Sequence, residues 1–337
     1  MVVEKVSHDK KTVIYLGEFQ MSDNKIKGLE DFEDDIHEKL ISNGYTNIKA
    51  ISISIPENIV IDTGLSYRLA EEIISKSIAL VVNPPLSAKE MLKLEQNKGK
   101  VTTSSNGLDT LLAGGPWSGE ITEISGAFAT GKSQLCFQLC VNAQLKRDQG
   151  GLDGKVFFVD TEGTFSATRI GEIAIDAGLD PEKILENIYV ARVLDSHNQT
   201  RIIQKINEIA QDENIKLVIV DSIAAHFRSD YIGNDKIAER QQRIMQHASS
   251  LTNLAYVHDI AVVVTNQMVA KVDDLSGMAS KSPALGESWS HRPQTRLVLR
   301  KSPGSARVAR LTDSPRRPES EEIFYITDGG IKDRPRG

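Results

Sequence analysis

The sequence predicts an α/β fold: a mostly parallel sheet covered by helices, antiparallel strands at its C-terminal end, and a small helical domain ahead of it. Three observations predict this. From about residue 101, continuous β-branched runs alternate with amphipathic helical ones, the pattern of strands buried on both faces. Near the C-terminus, TRLVLRK, RVARLTD and EEIFYITD follow one another through turns such as SPGS, with no helix between them; they read as an antiparallel extension of the same sheet. Before residue 80, apolar residues recur at helical spacing.

In chain order, residues 1–20 form an extension in which TVIYLGEF is a candidate strand. Residues 21–80 form a helical domain: Leu29, Phe32, Ile36, Leu40 and Ile41 share one helical stripe, and Gly64 marks the turn before a second helix in TGLSYRLAEEIISKSIAL. Residues 81–100 form a linker, because Pro84 and Pro85 stop any helix entering them; a short helix follows. Residues 101–337 form the α/β core. Its strand and helix runs are ITEIS then QLCFQLCVNAQL, KVFFVD then ATRIGEIAIDAG, NIYVARV then NQTRIIQKINEIA, and KLVIVD then KIAERQQRIMQHASSLTNLAYV, ending in AVVVTNQ.

Composition sets outer bounds. The chain has 337 residues, 40% of them apolar and 26% charged, which is the balance of a water-soluble globular protein. No run approaches the ~20 apolar residues that span a bilayer, so no membrane partner is expected. The N-terminus lacks the order of a signal peptide. Cys136 and Cys140 are one helical turn apart and match no metal pattern; they read as packed free thiols. A net charge of −6 argues against wholesale polycation behaviour but leaves room for local basic patches.

The stretch GAFATGKS fits G-x-x-x-x-G-K-[ST] between a strand and a helix. Its residues, Gly126, Ala127, Phe128, Ala129, Thr130, Gly131, Lys132 and Ser133, would turn backbone N–H groups onto phosphate oxygens. Lys132 would reach the β/γ-phosphates and Ser133 would ligate Mg²⁺. Asp221 ends the apolar strand KLVIVD, where a magnesium partner belongs; a helix N-cap is the plainer alternative. Past the strand VFFVD, Glu162 is the better candidate to orient an attacking water, and Asp160 reads as structural. Gln267 ends AVVVTNQ, where an amide could sense the γ-phosphate.

GAFATGKSQLCFQLCVNAQ, FFVDTEGTF, LVIVDS, AERQQ, VVVTNQ and TDSPRRPE, in this order and at these spacings, resemble the RecA/RadA-family recombinases, closest to the archaeal RadA and eukaryotic recombinase branch. The resemblance is dense from about Lys100 to Asp333. It implies a RecA-like P-loop ATPase core and a filament or ring of copies, with ATP and Mg²⁺ between neighbours. It also implies partners: single-stranded and double-stranded DNA, and other recombination mediators. The place of work is the nucleoid of a cell without a nucleus, or the nucleus of one that has it.

Carried over by motif, the resemblance gives roles to further residues. Arg169 stacks on adenine. Asp313 and Pro315 cap the neighbour's ATP. A first DNA loop runs from Arg228 through Tyr231 to Arg243 and includes Arg240. A second runs from about residue 272 to 287, flanked by Lys271 and containing Lys281. Between residues 289 and 317, eight Lys or Arg accompany a single Asp, a net charge of +7, and basic side chains there would neutralise DNA phosphates. The domain at 21–80 resembles the family's helix–hairpin–helix domain; in its first hairpin LEDFEDD replaces the usual glycine-rich turn.

Three departures from the family pattern stand out. The linker's docking segment lacks its phenylalanine, leaving Leu86 and Ala88 as the oligomerisation residues. The first loop reads Gly233-Asn234-Asp235 where glycine–arginine–glycine is usual. PALGESWSH, residues 283–291, is closer to the recombinase paralogs than to strand-exchanging members, and its Trp289 either stacks on a base or anchors the loop in the core. The leading expectation is a DNA-dependent ATPase that forms a filament on single-stranded DNA and catalyses homologous pairing and strand exchange in repair. The alternative is a paralog-type mediator that uses ATP to load or stabilise a recombinase filament. A third, another RecA-core motor, is opposed by TDSPRRP and the helical N-terminal domain.

Overall fold

The structure is a computed structural model that describes residues 25–272 and 279–334, without the side chains at 234, 269–272, 279–283, 287 and 288. The run TVIYLGEF lies outside the described residues. The first helices are α1 (Asp34–Ser42), α2 (Ile48–Ser52), α3 (Pro56–Thr63) and α4 (Tyr67–Val81). Their apolar stripes meet in one small core of Leu29, Ile36, Leu40, Ile51, Ile59, Ala70 and Ile73. Gly64 ends α3 in the left-handed conformation, which a side chain would oppose, and the Ser66 hydroxyl caps α4 by accepting from the Leu69 N–H. Asn207 of the later chain donates to the Ala50 carbonyl at 2.9 Å and ties this bundle to the core.

The chain then leaves α4 at Val82 and passes through the two prolines into α5 (Ala88–Asn97). Ser87 and Glu90 form a reciprocal capping box at its start. No residue of α5 is buried. After α6 (Asn106–Leu111) the core begins: β1 (Ile121–Gly126), α7 (Lys132–Asn142), β2 (Lys155–Asp160), α8 (Ala167–Asp176), α9 (Pro181–Glu186), β3 (Ile188–Arg192), α10 (Ser196–Ile209), β4 (Ile215–Asp221), α11 (Ala225–Asp230), α12 (Ile237–His258), β5 (Ala261–Val272), β6 (Ala279–Pro283), α13 (Gly286–Ser290), β7 (Thr295–Lys301), β8 (Ala306–Asp313), β9 (Ser320–Thr327) and β10 (Gly330–Lys332).

Among the described residues the strands lie in the order β10-β9-β8-β7-β1-β5-β4-β2-β3, with β6 paired to β5 alone. The run from β7 to β3 is parallel and the run from β7 to β10 is antiparallel. Alternation within each strand divides the core into two layers. On β2, Val156 and Phe158 pack with α7 and α8, while Phe157 and Val159 pack with α10 and α12; Leu217 and Ile219 divide from Val218 and Val220 on β4 in the same way. Burying each such side chain stabilises the fold by about 1.5–3 kcal/mol. Cys136 and Cys140 are buried and free, and burial pushes both thiols up in pKa, so they act as small apolar groups. No helix among the described residues is long and apolar enough to cross a membrane.

The parallel register fixes where chemistry can happen. Gly126 lies opposite Gln267 on β5, and Asp160 lies opposite Asp221. One edge of the sheet therefore collects the ends of β1, β2, β4 and β5, the side on which open α/β sheets bind ligands.

Candidate nucleotide and DNA site

The loop between β1 and α7 is shaped by its glycines. A Cβ on Gly126 would sit 2.6 Å from Thr130 Oγ1 and 2.8 Å from the Leu299 carbonyl oxygen, and one on Gly131 would collide with Ile326. Gly131 also has φ 102°, so the loop depends on a missing side chain twice over. Lys132 opens α7, and its ammonium donates to the carbonyls of Gly126 and Ala127 at 3.1 Å each. Burial lowers its pKa, against the pull of Asp221 and Glu162. Phe128 stands out from the loop, 92% exposed.

Ser133 Oγ donates to Asp221 Oδ2 at 2.6 Å, and Thr265 Oγ1 donates to the other carboxylate oxygen. Asp221 is buried, and that burial raises its pKa against the two hydroxyl donors that favour its charged form. Beside it, Glu162 Oε1 accepts from Ser222 Oγ at 2.7 Å and from Gln267 Nε2 at 3.0 Å. Asp160 is bound otherwise: it accepts the backbone N–H groups of Gly163 and Thr164 at 2.7 and 3.2 Å and pairs with Arg192 at 3.2 Å. It shapes the turn that carries Glu162.

The donor set fits magnesium held jointly with phosphate. Ser133 and Asp221 supply hard oxygen atoms, and among the described residues no group of three or more His, Cys, Asp or Glu could hold an ion unaided. Magnesium commonly takes one or two carboxylates and completes its shell with water and substrate phosphate.

The remaining candidates fall at other places. Arg169, on α8, donates Nε to Gln134 Oε1 at 2.9 Å and its terminal nitrogens to the carbonyls of Thr327, which ends β9, and Asp328. Asp313 lies opposite Arg296 at the start of β7, so Asp313 and the exposed Pro315 sit at the edge of the sheet away from the phosphate loop of their own chain. Leu86 is half-buried, and Ala88 is exposed at the start of α5.

The first DNA segment is more helical than the resemblance implies, and its helix is the one the run KIAERQQRIMQ predicts. Arg228 lies in the last turn of α11, Tyr231 follows it, and α12 already begins at Ile237, so Arg240 and Arg243 project from a helix. In the second segment β5 and β6 pair antiparallel, with Lys271 and Lys281 on the paired strands, and α13 follows; residues 273–278 and the side chains of the two lysines lie outside the described residues. Trp289 is an anchor: it is 1% exposed, and its Nε1 donates to Glu123 Oε1 at 2.8 Å. Half of the eight cations of the basic C-terminal stretch are neutralised within the chain, because Arg296, Arg300, Arg310 and Arg316 each pair with a glutamate: Glu123, Glu321, Glu319 and Glu120. Sequence reasoning did not find Ser222 and Thr265, the hydroxyl partners of Glu162 and Asp221. Both lie beside motif residues, but a hydroxyl at a strand end is too common to be a signal.

Comparison with known proteins follows the same lines. The Rad51 family model matches residues 95–334. The DNA repair and recombination protein RadA of Aeropyrum pernix is 41% identical over 297 residues, covering 88% of this chain and 92% of that protein. The protein of the same description from Ignicoccus hospitalis is 40% identical over 300 residues, covering 88% and 91%. With the phosphate loop, the strand-end carboxylates and the mostly parallel sheet in the positions described, the chain belongs to the Rad51 family, the family of RecA/RadA-type recombinases.

Proposed function

We infer that residues 126–133 bind ATP with Mg²⁺, and that copies of the chain assemble on single-stranded DNA and pair it with a homologous duplex. The observation that carries this reading is the bond from Gln267 to Glu162, because β5 runs from that amide directly into the second DNA segment. ATP with Mg²⁺ supplies the phosphoanhydride and neutralises its own charge.

The chain's residues do the rest. The loop N–H groups, the α7 N-terminus and Lys132 would hold phosphate, and Ser133 and Asp221 would hold the metal. Glu162 orients the attacking water. Gln267 reads the γ-phosphate through its contact with Glu162. Arg169 is held through its edge donors, so what it can offer adenine is a guanidinium face.

Asp313 is level with Arg296 and Glu123, three residues of β1 (about 10 Å at ~3.3 Å per residue) and two strand spacings from Gly126, so Asp313 and Pro315 face away from their own phosphate loop. They suit the role of cap on a neighbouring subunit's ATP. Arg228, Tyr231, Arg240, Arg243, Lys271 and Lys281 are assigned to DNA, and Leu86 with Ala88 to self-assembly. Such work takes place on the chromosome, in the nucleoid or in a nucleus.

A mediator that loads another recombinase is the second reading, favoured by Leu86 in place of a phenylalanine and by Trp289 locking residues 283–291 onto Glu123. Strand exchange between a circular single strand and a homologous linear duplex decides between them. Joint molecules formed by the native protein, and not by Lys132→Ala, establish a recombinase. ATP-dependent DNA binding without joint molecules establishes the mediator.

A further inference from the structure

Arg316 lies in the loop between β8 and β9, just past Asp313 and Pro315. Its guanidinium forks onto Glu120: Nη1 donates to Oε2 at 2.8 Å, and Nη2 donates to Oε1. Its Cζ also lies 3.8 Å from the ring centroid of Trp117, stacked as guanidinium on indole. The pair is well shielded, with side-chain exposures of 17% for Arg316 and 10% for Glu120. Two more cations converge here. Lys98 donates to Glu120 Oε1 at 3.3 Å, and the Lys100 ammonium lies 4.1 Å from the same Trp117 centroid. Gly114 and Gly115 permit this approach, since a Cβ on Gly114 would meet Lys100 Cδ at 2.8 Å and one on Gly115 would collide with the Val101 carbonyl.

The cluster lies at the start of β1, away from the phosphate loop, so it serves nothing in its own chain's nucleotide site. It does fix the base of a loop whose outer residues, Asp313, Pro315, Arg317 and Pro318, are exposed. We propose that Arg316 is the positioning residue of the cap: its fork onto Glu120 and stack on Trp117 hold Asp313 and Pro315 in the arrangement that closes on a neighbouring subunit's nucleotide. This rests on the reading of Asp313 and Pro315 given above. A bidentate, stacked guanidinium sets both distance and plane, which an ammonium cannot do. Lys98 is the residue that ends α5, so the carboxylate that orients the cap is also held from the linker.

The test is single-stranded-DNA-stimulated ATP hydrolysis by the full chain, with KM for ATP and kcat measured separately. Arg316→Ala and the isosteric Glu120→Gln are each expected to raise KM about tenfold with kcat within about twofold, the pattern of lost binding rather than lost chemistry. Arg316→Lys should not restore KM, and the double variant should be no worse than either single one, because both remove one contact. Binding of ATP to dilute subunits without DNA should be unchanged in all of them, which a general loss of folding would not spare. Asp313→Ala run in parallel separates the two levels of the argument. If Asp313→Ala raises KM and Arg316→Ala and Glu120→Gln do not, the positioning role is overturned and the cap stands. If none of them raises KM, the cap reading falls and the proposal with it.

Discussion

Gln267 donates its side-chain amide to Glu162 at 3.0 Å, joining two residues 105 positions apart in the chain. One end of that bond belongs to the turn after β2, which Asp160 braces. The other belongs to β5, which continues into the second segment assigned to DNA. A nucleotide that changed the position of Glu162 would act on that segment through a single hydrogen bond and a rigid strand, a short physical route from one site to another.

Glu162→Gln keeps the shape of that contact and removes the charge. Hydrolysis should fall by about 10²–10⁴-fold, the range for loss of a general base, while ATP still binds and the DNA complex persists. Single-turnover hydrolysis is the measurement; a native rate would remove Glu162 from the water-orienting role.

Arg240 and Arg243 are three residues apart on α12 and share a face. Replacing either with alanine should weaken single-stranded DNA binding and reduce the slope of log K against log salt by about one. Titrations at several salt concentrations test this, and an unchanged slope would make both arginines structural.

Glu123 is fully buried and satisfied by three donors: Asn266 Nδ2 at 2.7 Å, Trp289 Nε1 at 2.8 Å and Arg296 Nε at 2.9 Å. Glu123→Ala would strand the Arg296 charge and two N–H groups, costing about 3–5 kcal/mol. Trp289→Phe removes one bond and should cost about 1–3 kcal/mol. Denaturant unfolding compares them; equal small effects would show that the network carries little.

His247 and His258 are buried, and burial lowers each pKa to about 4, for His258 with help from Lys49 and Lys216. Unfolding returns them to an ordinary value near 6.5. Between these limits the unfolded chain binds more protons, so stability is full above about pH 6.5 and falls as pH drops toward 4, by up to about 1.4 kcal/mol per pH unit for each histidine. Thermal unfolding from pH 7 to 4 should show this decline, and His247→Gln should make it shallower. A slope identical to that of the native chain would mean that His247 takes up its proton while folded.

The sheet and its chemistry were legible in the sequence because both rest on local pattern. Apolar runs such as KLVIVD mark buried strands, and the phosphate loop is a contiguous motif. What pairs across long distances was not legible. The count of cations near the C-terminus was correct as a count. Only the folded sheet shows that Arg300 meets Glu321 and Arg310 meets Glu319. The helix from Ile237 was legible in KIAERQQRIMQ, which is rich in helix formers; the loop carried over by resemblance ran past its start to Arg243. Nothing local in the sequence joins Trp117 to Arg316. The anchoring of Trp289 was one of two readings, and a buried carboxylate on β1 decided it.

Helix α5 has a capping box and no buried residue, and Met91, Leu92 and Leu94 are 44%, 54% and 43% exposed. Isolated helices shorter than about 12–15 residues are marginal in water. In a filament such a segment acts as a gauge of how crowded the subunits are. Its amides should exchange with solvent quickly in dilute protein and slowly as copies meet, while those of β4 keep one rate throughout. The order of ten residues would then be a property of the solution as much as of the chain.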